Sequence, residues 1–76
     1  MIVPAQIRMA RAALGISVRT LAEKAKVGES TIQRFEAGRG GMQAATLARL
    51  ETVLGADGVE FIAPDNHGGP GVRLRA

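Results

Sequence analysis

Residues 17–38 read SVRTLAEKAKVGESTIQRFEAG, and their apolar positions recur at helical spacing in two short runs separated by about three residues. Ser17 is a good N-cap, because its hydroxyl can accept a backbone N–H that the first helical turn leaves unpaired. Leu21, Ala22 and Ala25 then share one face. A small side chain at Ala22 lets a partner helix cross closely, where a leucine would hold the two axes apart. Lys26, Val27 and Gly28 form the turn, with Val27 as the apolar plug beneath it. The second run extends from Glu29 to Ala37, with Ile32 and Phe35 on its buried side and Gly38 placed to stop it as a left-handed C-terminal cap. Glu29, Ser30, Gln33 and Arg34 are left facing outward.

Two short helices, a tight turn and an exposed polar face on the second helix outline a helix-turn-helix. On its N-terminal side, Pro4 fits the first turn of a helix, where its missing N–H costs nothing. The segment to Leu14 places Ile7, Ala10 or Arg11, and Leu14 on one stripe, and Gly15 ends it. Arg8 lies on the other side, as a solvated surface residue or a phosphate contact. On the C-terminal side, Arg39, Gly40 and Gly41 make a loop whose backbone N–H groups, beside a cation, could cradle a phosphate; a simple helix connection is the alternative. No Lys-Ser or Lys-Thr follows these glycines, which excludes a nucleotide-binding P-loop. A fourth helix, from about Ala44 to Leu54, puts Leu47, Leu50, Val53 and Leu54 at core spacing, and Gly55 closes it. Beyond Asp57, residues Val59 to Ala63 read as a strand, Pro64 to Gly71 are dense in turn formers, and Val72 to Arg75 alternate apolar and basic. The expected organisation is a helical domain over 1–56 and a β-hairpin tail over 57–76.

A chain of 76 residues is one domain at most, near the size at which a single core is only marginally sufficient, so a dimer is an expected source of extra burial. Hydrophobic content of 46% belongs to a globular chain, and the absence of cysteine excludes disulfides and thiolate metal sites. A formal charge of +3 and a pI near 10.7 favour a polyanionic partner. Between Val18 and Arg39, the cations Arg19, Lys24, Lys26, Arg34 and Arg39 outnumber Glu23, Glu29 and Glu36. No apolar run approaches the roughly 20 residues of a membrane span, and Met1 to Val3 followed by Pro4 is no signal peptide, so a cytoplasmic, nucleoid-associated setting is expected. His67, the only histidine, lacks the three or four converging ligands of a zinc site, and no serine or threonine has a histidine placed for a catalytic triad. Neither metal, cofactor nor enzymatic activity is expected.

The stretch LGISVRTLAEKAKVGESTIQRFEAG (residues 14–38), together with the closing LARLETVLG (residues 47–55), resembles the helix-turn-helix of the phage-repressor family, the Cro and lambda-repressor or xenobiotic-response-element type. The similarity runs from about Ile7 to Leu54. It implies a mainly α fold: a four-helix lambda-repressor-like DNA-binding domain, here followed by a short C-terminal β-hairpin. Two positions depart from the family pattern. Val18 stands where glutamine is usual, and Lys26 stands where glycine is usual, so a left-handed Lys26 would cost about 1 kcal/mol. The resemblance also implies an ion pair between Arg11 and Glu36 that locks the first helix against the third. The tail, GVEFI followed by GGPGVRL, is similar to that of short relatives and is a candidate dimerisation element through Val59, Phe61, Ile62, Val72 and Leu74.

A major groove demands a narrow helix with polar side chains near its N-terminus and backbone contacts around it. By resemblance, Glu29, Ser30, Gln33 and Arg34 reach base edges: Arg34 suits guanine O6 and N7, Gln33 suits adenine N6 and N7, and Glu29 can accept from a cytosine amine. Arg19, Lys24, Lys26 and Arg39 are candidates for phosphate contacts, joined by Thr31 and the Gly40 backbone, with plain solvation as the alternative for each cation. The function expected is a sequence-specific DNA-binding regulator, a repressor acting as a homodimer on an inverted repeat of double-stranded DNA. Two alternatives stay open: an antitoxin whose tail holds a protein partner, and a protein-interaction module on the same fold.

Overall fold

The computed structural model describes residues 2–75. Four helices, α1 (Pro4–Leu14), α2 (Val18–Ala25), α3 (Glu29–Glu36) and α4 (Ala44–Ala56), precede two strands, β1 (Val59–Ile62) and β2 (Gly71–Leu74). The fold is therefore mainly helical with a short C-terminal hairpin, as the sequence predicts. Local chemistry sets most of the boundaries. Pro4 opens α1, and Gly15 closes it in a left-handed conformation at φ 68. Ser17 caps α2, its Oγ accepting the Thr20 N–H at 3.0 Å. Lys26 ends that helix at φ 56, and it is the one non-glycine residue with positive φ among the described residues.

The core is built from Ile7 and Ala10 of α1, Leu21, Ala22 and Ala25 of α2, Ile32 and Phe35 of α3, Leu50 and Leu54 of α4, and Val59 of β1. Three alanines in this set let the helices approach closely around the larger Ile, Leu and Phe side chains. Leu47 and Val53, expected in the core, are half-buried at its margin. The end of α4 also differs from the sequence expectation. Gly55 does not close the helix, which continues through it to Ala56. The reversal comes at Gly58, whose φ of 101 is a conformation that glycine alone adopts readily, with its N–H bonded to the Gly55 carbonyl at 3.0 Å.

The hairpin is antiparallel, pairing Val59 with Leu74, Glu60 with Arg73, Phe61 with Val72 and Ile62 with Gly71. Its connection folds back on itself, where Asp65 Oδ1 accepts the N–H groups of His67 and Gly68 at 2.8 and 3.1 Å. A two-stranded sheet is barely stable alone in water, and this one is tied to the helices from both ends. At the open end, Arg75 donates from its backbone to the Gly58 carbonyl and from its guanidinium to the Gly55 carbonyl at 2.6 Å. At the turn end stands Gln6, a buried polar side chain on α1. Its Oε1 accepts the Val3 N–H at 2.9 Å, while its Nε2 donates to the carbonyls of Ile62 and Gly71 at 3.1 and 3.0 Å. One amide thus closes the first turn of α1 and grips the last pair of the hairpin.

Candidate nucleic-acid interface

The position of α3 is fixed first at its entrance. Lys26 turns the chain, Val27 packs half-buried against the core, and Arg49 Nη1 donates to the Lys26 carbonyl at 3.2 Å. Its inner side is then held by Ile32, fully buried, and Phe35. At its exit, Glu36 is engaged by α1. Arg11 Nε and Nη2 meet the two carboxylate oxygens of Glu36 at 2.7 and 2.8 Å, and Arg11 Nη1 donates to the Ile16 carbonyl at 3.2 Å. The hydrogen bond and charge of Glu36 hold the Arg11 guanidinium above its ordinary pKa, against the opposing effect of burial. Arg8, read from the sequence as solvated or as a phosphate contact, instead donates to the backbone carbonyl of Glu36. A helix leaves its last carbonyls unpaired and negative, so a cation arriving from a neighbouring helix is well placed there. Spacing offered a signal: Arg8 and Arg11 lie three apart on α1 and share the face that meets α3.

The opposite side of α3 is open. Glu29, Ser30, Gln33 and Arg34 are exposed and have no side-chain hydrogen bond or ion pair among the described residues. The loop after the helix curls back in a Schellman closure: Gly38, at φ 72, donates to the Phe35 carbonyl and Arg39 to the Arg34 carbonyl, both at 3.0 Å. That closure brings Arg39 beside the outer face. Ser30, Gln33, Arg34, Ala37 and Arg39 line a single open concavity of about 600 Å³. Glu29 stands outside it, at the first turn of α3, where a carboxylate is favoured by the helix dipole. Thr31 is half-buried beside Gly28.

The expected phosphate contacts divide. Arg19, in the first turn of α2, and Lys26 and Arg39 are exposed with no acidic partner among the described residues. Lys24 differs from these in having an acidic neighbour: its Nζ lies 3.0 Å from Asp57 Oδ2, because the last turn of α2 packs beside the C-terminal end of α4 where Asp57 stands. Both side chains of that pair remain open to water. Gly40 is exposed, with a φ of 156. Of the residues expected at a dimer contact, Val59 is turned into the chain's own core at 2% exposure, Phe61, Ile62 and Val72 are half-buried, and Leu74 is exposed. Val59 is therefore unavailable to a partner. No helix among the described residues is long and apolar enough to cross a membrane.

This arrangement, a short second helix wedged by its inner side and bare along its outer side, is the one that sets side chains against base edges in a major groove. Residues 5–61 match the family model of the helix-turn-helix domain. The chain belongs to the helix-turn-helix domain family, a class of DNA-binding regulators. No curated protein matches it.

Proposed function

We propose that this protein is a sequence-specific transcriptional regulator of phage-repressor type, binding as a homodimer to an inverted repeat and repressing by occluding a promoter. The observation that carries this is the unpartnered outer face of α3, where Ser30, Gln33 and Arg34 share one concavity with Arg39. Arg11 and Arg8 hold the exit of α3 while Arg34 on its outer side and Arg39 beside it have no acidic partner among the described residues, so the helix is fixed in place with two cations left open on the face it presents. In this assignment Gln33 and Arg34 read bases, Ser30 and Glu29 supplement them, and Arg19, Lys26, Arg39, Thr31 and the Gly40 N–H hold phosphates. The half-exposed hairpin residues Phe61, Ile62 and Val72, with Leu74, supply the contact between copies. Two copies about a twofold axis would address half-sites about 34 Å apart.

Fluorescence anisotropy with labelled duplex tests this directly. Wild-type protein should bind random duplex at low salt with a steep loss of affinity as salt rises. On a duplex selected from a randomised pool, Arg34→Ala should cost about 1 to 3 kcal/mol and relax preference at one base pair. Arg19→Ala should weaken binding to every sequence and flatten the salt slope. Equal, sequence-independent losses from both substitutions would remove Arg34 from base reading. Salt-insensitive or absent binding would remove DNA as the partner.

A further inference from the structure

Three exposed cations with no acidic partner among the described residues border the outer face of the helix-turn-helix: Arg19 in the first turn of α2, Lys26 in the turn, and Arg39 past the end of α3. Of these, Arg39 alone lines the concavity on the outer side of α3, together with Ser30, Gln33 and Arg34. Its place there is set by the backbone. Gly38 reverses the chain at φ 72, and Arg39 donates its N–H to the Arg34 carbonyl at 3.0 Å. The Arg39 side chain therefore starts from a fixed point at the C-terminal end of α3, while Arg34 enters the same concavity from the helix itself. The lining holds two guanidinium groups and no carboxylate.

A helix seated in a major groove faces a floor of base edges with its outer side, and the phosphates form the walls to either side. A side chain that shares one concavity with Gln33 and Arg34 borders the floor, whereas Arg19 and Lys26, outside it, are left for the walls. The base edge that best fits an arginine fork is that of guanine, where O6 and N7 both accept. A backbone already pinned to the Arg34 carbonyl also spares part of the ordering cost that a loose loop residue bears when it binds. We infer that Arg39 is a second base-reading arginine: besides any phosphate it meets, its guanidinium takes the edge of a guanine in the same half-site as the base pair read by Arg34. This rests on the DNA-reading function proposed above and adds to it a specificity-determining residue beyond the end of α3.

The test uses the full chain and a duplex selected from a randomised pool by the wild-type protein, with its single-base variants, read by fluorescence anisotropy. Arg39→Ala should lose discrimination roughly tenfold at one guanine-containing pair, different from the pair that Arg34→Ala relaxes and within the span one bidentate contact carries. Replacing that guanine with a deaza-analogue lacking N7 should weaken wild-type and Arg34→Ala binding roughly fivefold, and Arg39→Ala binding by less than about twofold. Each comparison is a ratio within one protein, so a loss of folded fraction cancels from it. A uniform loss across all sequences with a shallower salt slope leaves Arg39 on phosphate alone and overturns the inference. Relaxation at the Arg34 pair, or at a pair without guanine, overturns it as well. Failure of the wild-type protein to select any sequence overturns the DNA-reading function and this role with it, whereas selection that Arg39→Ala leaves unrelaxed overturns this role alone.

Discussion

The α1–α3 junction and the hairpin each contain a two-pronged Arg–Glu pair, and the two pairs differ in almost nothing except their access to water. Arg11 meets Glu36 through contacts of 2.7 and 2.8 Å, with side-chain exposures of 22% and 7%. Arg73 meets Glu60 through contacts of 2.9 and 3.4 Å, with exposures of 66% and 42%. In the first pair, water is largely excluded, so each partner depends on the other to be tolerated where it stands. In the second, water solvates each partner whether or not the other is present. Similar geometry therefore has opposite structural meaning. The buried pair is a latch that decides how α3 is presented, and the exposed pair trims a sheet held together by other means.

Deletion at the latch should give the largest effect. Arg11→Ala strands the Glu36 carboxylate and frees the Ile16 carbonyl, and should lower the stability read from urea unfolding by about 3 kcal/mol. Replacing both partners with apolar residues, as Arg11→Met with Glu36→Leu, should recover much of that loss, because the penalty belongs to the abandoned charge more than to the missing attraction. The same deletion in the hairpin, Glu60→Ala, should move the urea midpoint far less. If both deletions cost alike, burial is not what separates the two pairs.

What holds the hairpin in place of its salt bridge is Gln6. Its amide is buried and satisfied on both ends, reaching carbonyls 56 and 65 residues away along the chain. Gln6→Leu keeps roughly the same volume but leaves the Val3 N–H and the Ile62 and Gly71 carbonyls short of a partner. A loss of about 1 to 3 kcal/mol should follow, with hydrogen exchange quickening first at the turn end of the hairpin. Unchanged protection there would mean that Val59 in the core suffices to seat the strands.

The contrast between local and distant pairing also explains what could be read from sequence. Ser17 and Gly38 act within a turn of where they stand, so those helix ends are legible from residue type and spacing, whereas a left-handed Lys26 follows only from the resemblance to a family in which glycine is usual there. The outward set Glu29, Ser30, Gln33 and Arg34 follows from the same periodicity once Ile32 and Phe35 are known to face inward. Gln6, Arg75 and the Lys24–Asp57 pair were not legible, since each polar group finds its partner across the fold and nothing in its neighbours announces that partner. Gly55 misled for a related reason: a helix held by its own packing accepts an internal glycine at a cost of only about 1 kcal/mol, and the reversal needed φ above zero, which Gly58 supplies.

The smallest effect expected separates the two Arg–Glu pairs by pH. The hydrogen bond from Arg73, then the charges of Arg73 and Arg75, hold the Glu60 carboxyl below its ordinary pKa. A folded pKa lowered in this way adds stability above the unfolded carboxylate value of about 4.3, and that stability drains as pH falls through the lowered folded value. Glu60→Gln lacks the contribution at every pH. The gap between wild type and Glu60→Gln in urea midpoints should thus be constant near neutrality and close on acidification, as pH falls below the unfolded carboxylate value and through the lowered folded one. Because both side chains remain well solvated, the gap at neutrality should be small and should shrink further with added salt. A gap that widens in acid would reverse the sign of the Arg73 interaction, and one insensitive to salt would place this pair with the latch at Glu36 rather than opposite to it.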